Sequence, residues 1–320
     1  MKIVVTGASG FIGSKLLGRI PANRTLSLGR DKPACQASGQ FFKLEISGST
    51  DYSAALIDAD VIVHLAARVH VMNDPVSNPI EEYREVNTRG TVNLARQAAG
   101  AGVKRFVFVS SIKVNGENTS QDNPFTSAHA HAPEDHYGLS KSEAELQLFK
   151  IGKETGMDIV VIRPTLVYGP GVKANFASLM NLVSKGIPLP FGCITDNKRS
   201  LVSVYNLVDL IVTCIDHPKA ANQVFLVSDD HDVSTSEMVR HMALALNKPT
   251  WQLPLPVWCY NLAGKLFNKS DVIDRLTGSL QVDITHTKET LGWTPPQSLQ
   301  ESFKQTAEAF LQSKKNDGKV

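Results

Sequence analysis

The chain has 320 residues, enough for one large domain or two modest ones with a sizeable core. Hydrophobic residues make up 42% and charged residues 20%, which excludes an intrinsically disordered chain. With 33 Lys and Arg against 31 Asp and Glu, the formal net charge of +2 supplies no basic field to attract nucleic acid or anionic lipid.

In chain order, short β-branched runs alternate with longer helical patterns, which predicts repeated strand–helix–strand units and a parallel sheet. The start Met1-Lys2-Ile3-Val4-Val5 superficially resembles a signal peptide, but Gly7, Gly10 and Gly13 interrupt the apolar run and no small-residue cleavage site follows, so it reads as a buried strand. Strands are expected at Lys2–Thr6, Thr25–Leu28, Phe41–Ile46, Asp60–Leu65, Arg105–Ser110 and Asp158–Arg163. Each is nearly all apolar, as a strand covered on both faces must be. Helices are expected at Phe11–Ile20, Ser77–Ala101 and His136–Thr155, the last after Pro133. The expected fold class is therefore α/β, a doubly wound parallel sheet occupying residues 1–165. Beyond it, closely spaced prolines from Pro164 to Pro296 break the pattern into shorter elements. Residues 166–312 are expected to form mainly a smaller mixed α/β lobe, some of whose segments return to the sheet, and 313–320 a flexible tail. No run approaches the roughly 18 apolar residues of a spanning helix, so no membrane insertion is expected, and a cytoplasmic location fits, with peripheral membrane association left open.

Cys35, Cys193, Cys214 and Cys259 lie far apart and form no ligand pair, which argues against structural zinc or a disulfide framework. His129, His131 and His136 crowd a loop, but their spacing supplies no converging metal geometry, so the loop reads as part of a mobile substrate loop and no metal is expected. Trp251, Trp258 and Trp293 are read as core or lobe-packing residues.

The strongest local signal is Thr6-Gly7-Ala8-Ser9-Gly10-Phe11-Ile12-Gly13, placed between the first strand and the first helix. Glycines there let backbone N–H groups approach a pyrophosphate at a helix N-terminus. A tight strand-to-helix turn explains them equally well. A second signal is Tyr137-Gly138-Leu139-Ser140-Lys141 after Ser110-Ser111 at a strand end. One helical turn separates Tyr137 from Lys141, so both project from one face. A phenol with a pKa of about 10 is a poor base at neutral pH unless a nearby cation favours the phenolate.

Together these residues resemble the extended short-chain dehydrogenase/reductase superfamily of NAD-dependent epimerase/dehydratase type, in particular its nucleotide-sugar branch. The resemblance also rests on His64-Leu65-Ala66-Ala67, Val86-Asn87-Thr88-Arg89-Gly90-Thr91, Val109–Gly116 and Arg163–Pro170, and spans nearly the whole chain. It implies a Rossmann sheet with a substrate-binding lobe. It implies Tyr137 as acid/base, Lys141 as its pKa-lowering partner and ribose ligand, Ser111 as the hydroxyl on the reacting oxygen, and Asn87 as a structural and proton-relay residue near the cofactor. The dinucleotide would be held by Gly7, Ser9, Gly10, Phe11, Ile12 and Gly13, by Glu45 and Ile46 at the adenine, and by Leu65, Ala66 and Ala67. This chain departs from the family pattern at Val109, Ile112, Lys113 and Asn115, which puts the adjoining substrate contacts in doubt.

The second strand ends Leu28-Gly29-Arg30-Asp31. Gly29 stands where an NAD-preferring site carries an acid, and Arg30 suits a 2′-phosphate, which favours NADP. The alternative is that Asp31 swings in and NAD binds. For the substrate, the resemblance points to Asn175, Arg199 and Arg275, and two guanidinium groups suit a nucleoside diphosphate. The implied partner is a UDP-sugar. The favoured reaction is reduction of a UDP-4-keto-6-deoxy-N-acetylhexosamine for surface-polysaccharide synthesis. The alternative is a UDP-hexose or UDP-N-acetylhexosamine 4-epimerase with tightly bound NAD, and the remote one a non-catalytic nucleotide sensor or scaffold. A homodimer through the helices at Ser77–Ala101 and His136–Thr155 is also implied, with Ala95, Ala98, Ala99 and Ala144 allowing close contact or packing internally.

Overall fold

The computed structural model describes residues 1–34, 39–69, 78–120, 123–266 and 270–318, so Cys35 and the expected helix start at Ser77 lie outside the described residues. Its strands are β1 (Ile3–Thr6), β2 (Thr25–Gly29), β3 (Gln40–Lys43), β4 (Val61–His64), β5 (Arg105–Val109), β6 (Asp158–Pro164), β7 (Leu166–Tyr168), β8 (Arg199–Ser203), β9 (Gln223–Val227) and β10 (Asp232–Val233). Seven form a parallel sheet in the order β3-β2-β1-β4-β5-β6-β9. A smaller mixed sheet runs β10-β8-β7. This is the expected α/β, Rossmann-like architecture. All six expected strands are present. The third ends earlier than expected: after Leu44 N donates to Gly29 O at 3.0 Å, the chain leaves the sheet before Ile46.

The helices are α1 (Phe11–Leu16), α2 (Ser53–Leu56), α3 (Pro79–Tyr83), α4 (Thr91–Gly100), α5 (His136–Thr155), α6 (Ala174–Ser184), α7 (Val204–Asp216), α8 (Thr235–Ala245), α9 (Val257–Leu266), α10 (Ser270–Thr277), α11 (Thr285–Leu291) and α12 (Leu299–Asp317). α5 has the expected bounds because its stop and start signals are strong. Asp135 caps its first turn by accepting from Gly138 N, and Gly156 ends it at φ 78°. The expected helix at Ser77–Ala101 is instead three pieces, with a π-helical stretch at Arg84–Gly90 between α3 and α4. Such widened turns turn side chains away from a regular helical face and cluster at functional sites. Helix α1 is shorter than expected because Gly18 N closes back on Lys15 O in a tightened last turn.

The two faces of the large sheet bury separate apolar layers. Leu16 and Leu17 with Leu207, Leu210 and Ile211 of α7 cover one face, while Leu94, Ala95, Ala144 and Leu148 of α4 and α5 cover the other. Ala95, Ala98 and Ala144 are thus fully buried within the chain and do not present themselves to a partner. A third layer of Tyr168, Phe176, Met180, Met242 and Phe303 forms the lobe. Chain segments pass between these bodies: β9 closes the large sheet, α7 packs on β5 and β6, and α11 packs on β9. Arg105 of β5 fastens one crossing by donating through Nη1 to the carbonyls of Cys214, Ile215 and His217 at the end of α7, each at 3.1 Å.

Two expectations need correction. Trp293 is buried and donates to Asp209 Oδ2 at 3.0 Å, but Trp251 and Trp258 are exposed, not packed in a core. Ser313–Asp317, read as flexible tail, continue α12, where Lys314 Nζ reaches Ser184 Oγ at 3.1 Å. Among the described residues no helix is long and apolar enough to cross a membrane.

Candidate active site

The carboxyl ends of β1 and β4 border the point where the strand order reverses, and there the crevice of an open parallel sheet opens. The glycine turn sits at this point. Gly7 has φ +67°, and a Cβ added to it would lie 2.7 Å from Ala66 N and 2.9 Å from Leu65 C. A Cβ on Gly13 would lie 2.3 Å from Gly7 O. Two of the three glycines are therefore demanded by backbone packing. Gly7→Ala is expected to cost about 2 kcal/mol or more of unfolding free energy, read from the denaturant midpoint. Gly10 caps α1 without a side-chain hydrogen bond, so the first-turn amides of Phe11, Ile12 and Gly13 carry no side-chain acceptor.

Thr6 and His64 lock β1 to β4. His64 Nδ1 lies 2.7 Å from Thr6 Oγ1 and its Nε2 2.9 Å from Thr91 Oγ1, while Thr6 Oγ1 also accepts from Ala66 N at 3.2 Å. Burial, then the Lys141 charge, lower the His64 pKa to about 3, so the ring is a neutral bridge. Its hydroxyl partners hold Leu65, Ala66 and Ala67 beside the glycine turn. Gly29, at the end of β2, faces open space, and Arg30, Asp31 and Glu45 are all exposed, with Ile46 half-buried against the core. A Cβ on Gly90 would strike Ile46 Cγ2 at 2.7 Å, which explains the glycine in Asn87-Thr88-Arg89-Gly90-Thr91. Open space beside an exposed carboxylate and an uncapped first turn fit a dinucleotide.

Asn87 is buried in the π-helical stretch. Its Oδ1 accepts from Arg68 N at 2.8 Å, and its Nδ2 donates to Arg68 O at 2.9 Å and to Ser140 Oγ at 3.0 Å. These bonds clamp the segment after β4 onto α5. Thr88 Oγ1 adds a bond to Ser140 O at 2.9 Å.

Ser111 lies just past β5 and caps the short turn Ile112–Val114, its Oγ accepting from Lys113 N at 3.2 Å. Lys141 reaches across from α5, and its Nζ donates to Val109 O at 3.0 Å and sits 4.3 Å from the Phe108 ring centre. The lysine of the Tyr-x-x-x-Lys pair is thus pinned to the strand that carries Ser111. Tyr137, one turn earlier, packs edge-on against Tyr83 at 6.5 Å between ring centres. Burial, with Asp135 and Tyr83 adding to it, pushes the Tyr137 phenol above its ordinary range, so the phenol holds its proton. Burial also lowers Lys141 from 10.5 to about 7, with Glu145 opposing. The unfolded lysine keeps its proton to about pH 10.5. Between those values the unfolded chain binds more protons, so stability should rise with pH. Lys141→Met should flatten that rise in unfolding free energies measured from pH 7 to 10.5.

Lys113, a departure from the family pattern, has a use in this geometry. Its Nζ bonds Glu117 Oε1 at 2.7 Å and Asp135 Oδ2 at 2.6 Å, while Asp135 Oδ1 accepts from Gly138 N at 2.6 Å. A Cβ on Gly138 would lie 2.6 Å from Lys113 O. The substituted turn therefore fixes the start of α5 where Tyr137 projects.

Behind these residues lies a network not anticipated from sequence. Arg163 (2% exposed) and Glu145 (0%) form a buried pair, with Nη2 2.5 Å from Oε2 and Nε 3.1 Å from Oε1. Ser110 Oγ donates to Glu145 Oε1 at 2.5 Å, Arg163 Nη1 donates to Asn115 Oδ1 at 3.0 Å, and His131 Nε2 lies 2.6 Å from Arg163 Nη2. Burial alone would raise Glu145, but its bonds to His131 and Arg163 hold it below the ordinary carboxylate range. The histidine-bearing loop is thus held at His131 by Arg163 and at His129, whose carbonyl accepts from Asn115 Nδ2 at 3.1 Å.

Of the expected substrate residues, Arg199 and Arg275 come together. Arg199 Nη1 donates to the Arg275 carbonyl at 2.7 Å and to Gly278 O at 3.1 Å. Burial, and then the Arg275 charge, lower the Arg199 pKa. Asn175 stands exposed in the first turn of α6, where Ala174 takes φ +56°.

The profile of the NAD dependent epimerase/dehydratase family matches residues 3–228. A Vibrio cholerae protein named UDP-glucose 4-epimerase is 64% identical over 97% of this chain and 96% of its own length. An Escherichia coli O157:H7 protein named N-acetyl-alpha-D-glucosaminyl-diphospho-ditrans,octacis-undecaprenol 4-epimerase is 28% identical over 98% and 97%. The solved structure of UDP-glucuronic acid 4-epimerase from Bacillus cereus, a complex with NAD, superposes with a TM-score of 0.77 at 21% identity, covering 98% of this chain and 99% of that one. These relatives carry the names of epimerases, not of ketoreductases. Motif, sheet order and overall sequence thus agree, and the chain belongs to the NAD dependent epimerase/dehydratase family of the extended short-chain dehydrogenase/reductase superfamily.

Proposed function

We propose that this enzyme is a UDP-sugar 4-epimerase working with tightly held NAD, UDP-glucose and UDP-galactose being the first substrates to try. The observation that carries this reading is the 64% identity, over nearly the full length of both chains, to the Vibrio protein of that name. It displaces the favoured sequence reading of an NADPH-dependent 4-ketoreductase. The preference for NADP rested on Arg30, which is simply exposed beside Asp31, and the NAD dependent family match supports NAD instead.

Gly7, Ser9, Gly10, Phe11, Ile12 and Gly13 would hold the pyrophosphate, Glu45 and Ile46 the adenine end, and Leu65–Ala67 the wall of the crevice. When bound, NAD supplies the acceptor and then the donor of hydride. Tyr137 takes the proton from the sugar hydroxyl at C4 and later returns it. Lys141 would donate to the ribose and favour the phenolate, offsetting the burial that holds the Tyr137 proton. The Ser111 hydroxyl donates to the reacting oxygen. Arg199 and Arg275, with Asn175, would grip the diphosphate. A second reading takes a lipid-linked sugar diphosphate, as the name of the Escherichia relative indicates, since a diphosphate grip serves either substrate. Dimerisation through the outer faces of α4 and α5, where Leu146 is exposed, accompanies the proposal.

Purification without added cofactor, denaturation and mass spectrometry of the released nucleotide test this directly. Expected are NAD at one per chain and interconversion of UDP-glucose and UDP-galactose with no external coenzyme. An empty site together with NADPH-dependent reduction of a 4-keto sugar would overturn the proposal.

A further inference from the structure

The segment from Trp251 to Leu266 presents an unusual surface. Its first part is extended and held to the lobe through the backbone: Leu253 N donates to Leu189 O at 2.8 Å and Gly192 N to Leu253 O at 3.1 Å. Every residue from Leu253 to Trp258 is exposed, as is Trp251 (60% exposed) before them. Helix α9 continues the pattern at helical spacing. Trp258 (66% exposed), Leu262 (53%) and Leu266 (73%) follow at i, i+4 and i+8 and so share one face. Soluble chains scatter exposed apolar residues singly, and a consecutive run with two tryptophans marks a surface meant to be covered.

The charges around the run indicate what covers it. From Met238 to Leu266 there is no Asp or Glu, although the whole chain has 31 in 320 residues. The stretch carries Arg240, Lys248 and Lys265, all exposed. Exposed Lys185 and Ile187 flank Gly186, where a Cβ would meet Lys248 Cδ at 3.5 Å, so the cationic rim extends to the neighbouring loop. The overall charge of +2 gives no such field; the field is local. Exposed Trp and Leu on a segment whose own charges are all cationic, with exposed Glu237 and Asp274 only at its borders, match an anionic phospholipid interface, where indole rings sit at headgroup depth and Lys or Arg meet phosphate.

We propose that the outward face of α9, with the extended segment before it, seats on an anionic bilayer surface without spanning it. Helix α9 packs on α10, which carries Arg275 beside Arg199, so such seating holds the candidate diphosphate grip next to the membrane. The proposal rests on the surface alone and stands or falls apart from the epimerase reading.

The test is flotation of the full-length protein with vesicles of equal parts phosphatidylglycerol and phosphatidylcholine, beside vesicles of phosphatidylcholine alone. Expected are flotation with the anionic vesicles at low salt, release as salt rises, and quenching of exposed tryptophan emission by brominated lipid. The triple variant Trp258→Ser, Leu262→Ser and Leu266→Ser should bind about tenfold more weakly, as should Lys248→Glu with Lys265→Glu, with turnover on UDP-glucose unchanged in both. Absence of wild-type flotation at low salt overturns the proposal without needing any variant. Flotation untouched by both sets of substitutions overturns it too, by placing the contact elsewhere. A wild-type dimer that the triple variant converts to monomer, with no vesicle binding, gives the face to a second copy instead.

Discussion

Replacing Tyr137 by Phe should lower turnover by roughly 10²–10⁴ while leaving bound NAD at one per chain. The substitution removes a single oxygen. The ring's contact with Tyr83 and the anchor of Lys141 on Val109 both remain. The loss should therefore fall on kcat, with KM for the UDP-sugar little changed. Because the Tyr137 phenol is raised by burial, and Lys141 is lowered to about 7, wild-type rate should also depend on pH through the charge at Lys141. The Phe variant should lose that dependence in its residual rate. Steady-state kinetics across pH, with the released nucleotide assayed in parallel, checks both points. Turnover equal to that of the wild type would remove Tyr137 from the reaction.

The second large effect concerns stability. Glu145→Ala should destabilise the enzyme by about 3–5 kcal/mol, because it strands the Arg163 guanidinium inside the protein. Arg163 would keep only Asn115 Oδ1 and His131 as partners. Arg163→Met strands the carboxylate in the same way, leaving it Ser110 and, at 3.4 Å, His131. Combining Glu145→Leu with Arg163→Met should recover much of the loss, since an apolar pair of similar volume leaves no buried charge unpaired. Urea unfolding of the two single variants and the double one measures the coupling. The pH dependence has a definite sign. Glu145 is held below its ordinary value, so its contribution is present above about pH 4.5 and fades as pH falls through the lower folded value. Single variants that lose less than about 1 kcal/mol would show that the network does not hold β5, β6 and α5 together.

Much of the large sheet was legible in the sequence because buried parallel strands read as short apolar runs and glycines mark their ends. α5 was legible to the residue because Asp135 and Gly156 cap it by side chain and by positive φ. The tight turn from β1 into α1 followed from Gly7, Gly10 and Gly13 in that context. The π-helical stretch around Asn87 was not legible, since a shift of helical phase confined to seven residues is too short for an apolar pattern to register. Nor was the Glu145–Arg163 pair. Each residue reads locally as an ordinary charge on a helix or a strand, and only the fold brings them together across 18 positions. A return of later chain to the large sheet was expected, but not that Gln223–Val227 makes it, because a non-local pairing leaves no mark on the run. Trp251 and Trp258 misled for a simpler reason: bulk and apolarity argue for burial, and here the backbone holds both outward.

That late return has a consequence for how the chain is made. β6 is complete at Pro164, but its outer neighbour β9 begins only at Gln223. While the ribosome adds the intervening lobe, the hydrogen-bonding edge of β6 stands open, and open apolar edges recruit other chains. The β6 edge of the sheet thus stands open during synthesis from the completion of that strand until the arrival of β9, the strand that seals it.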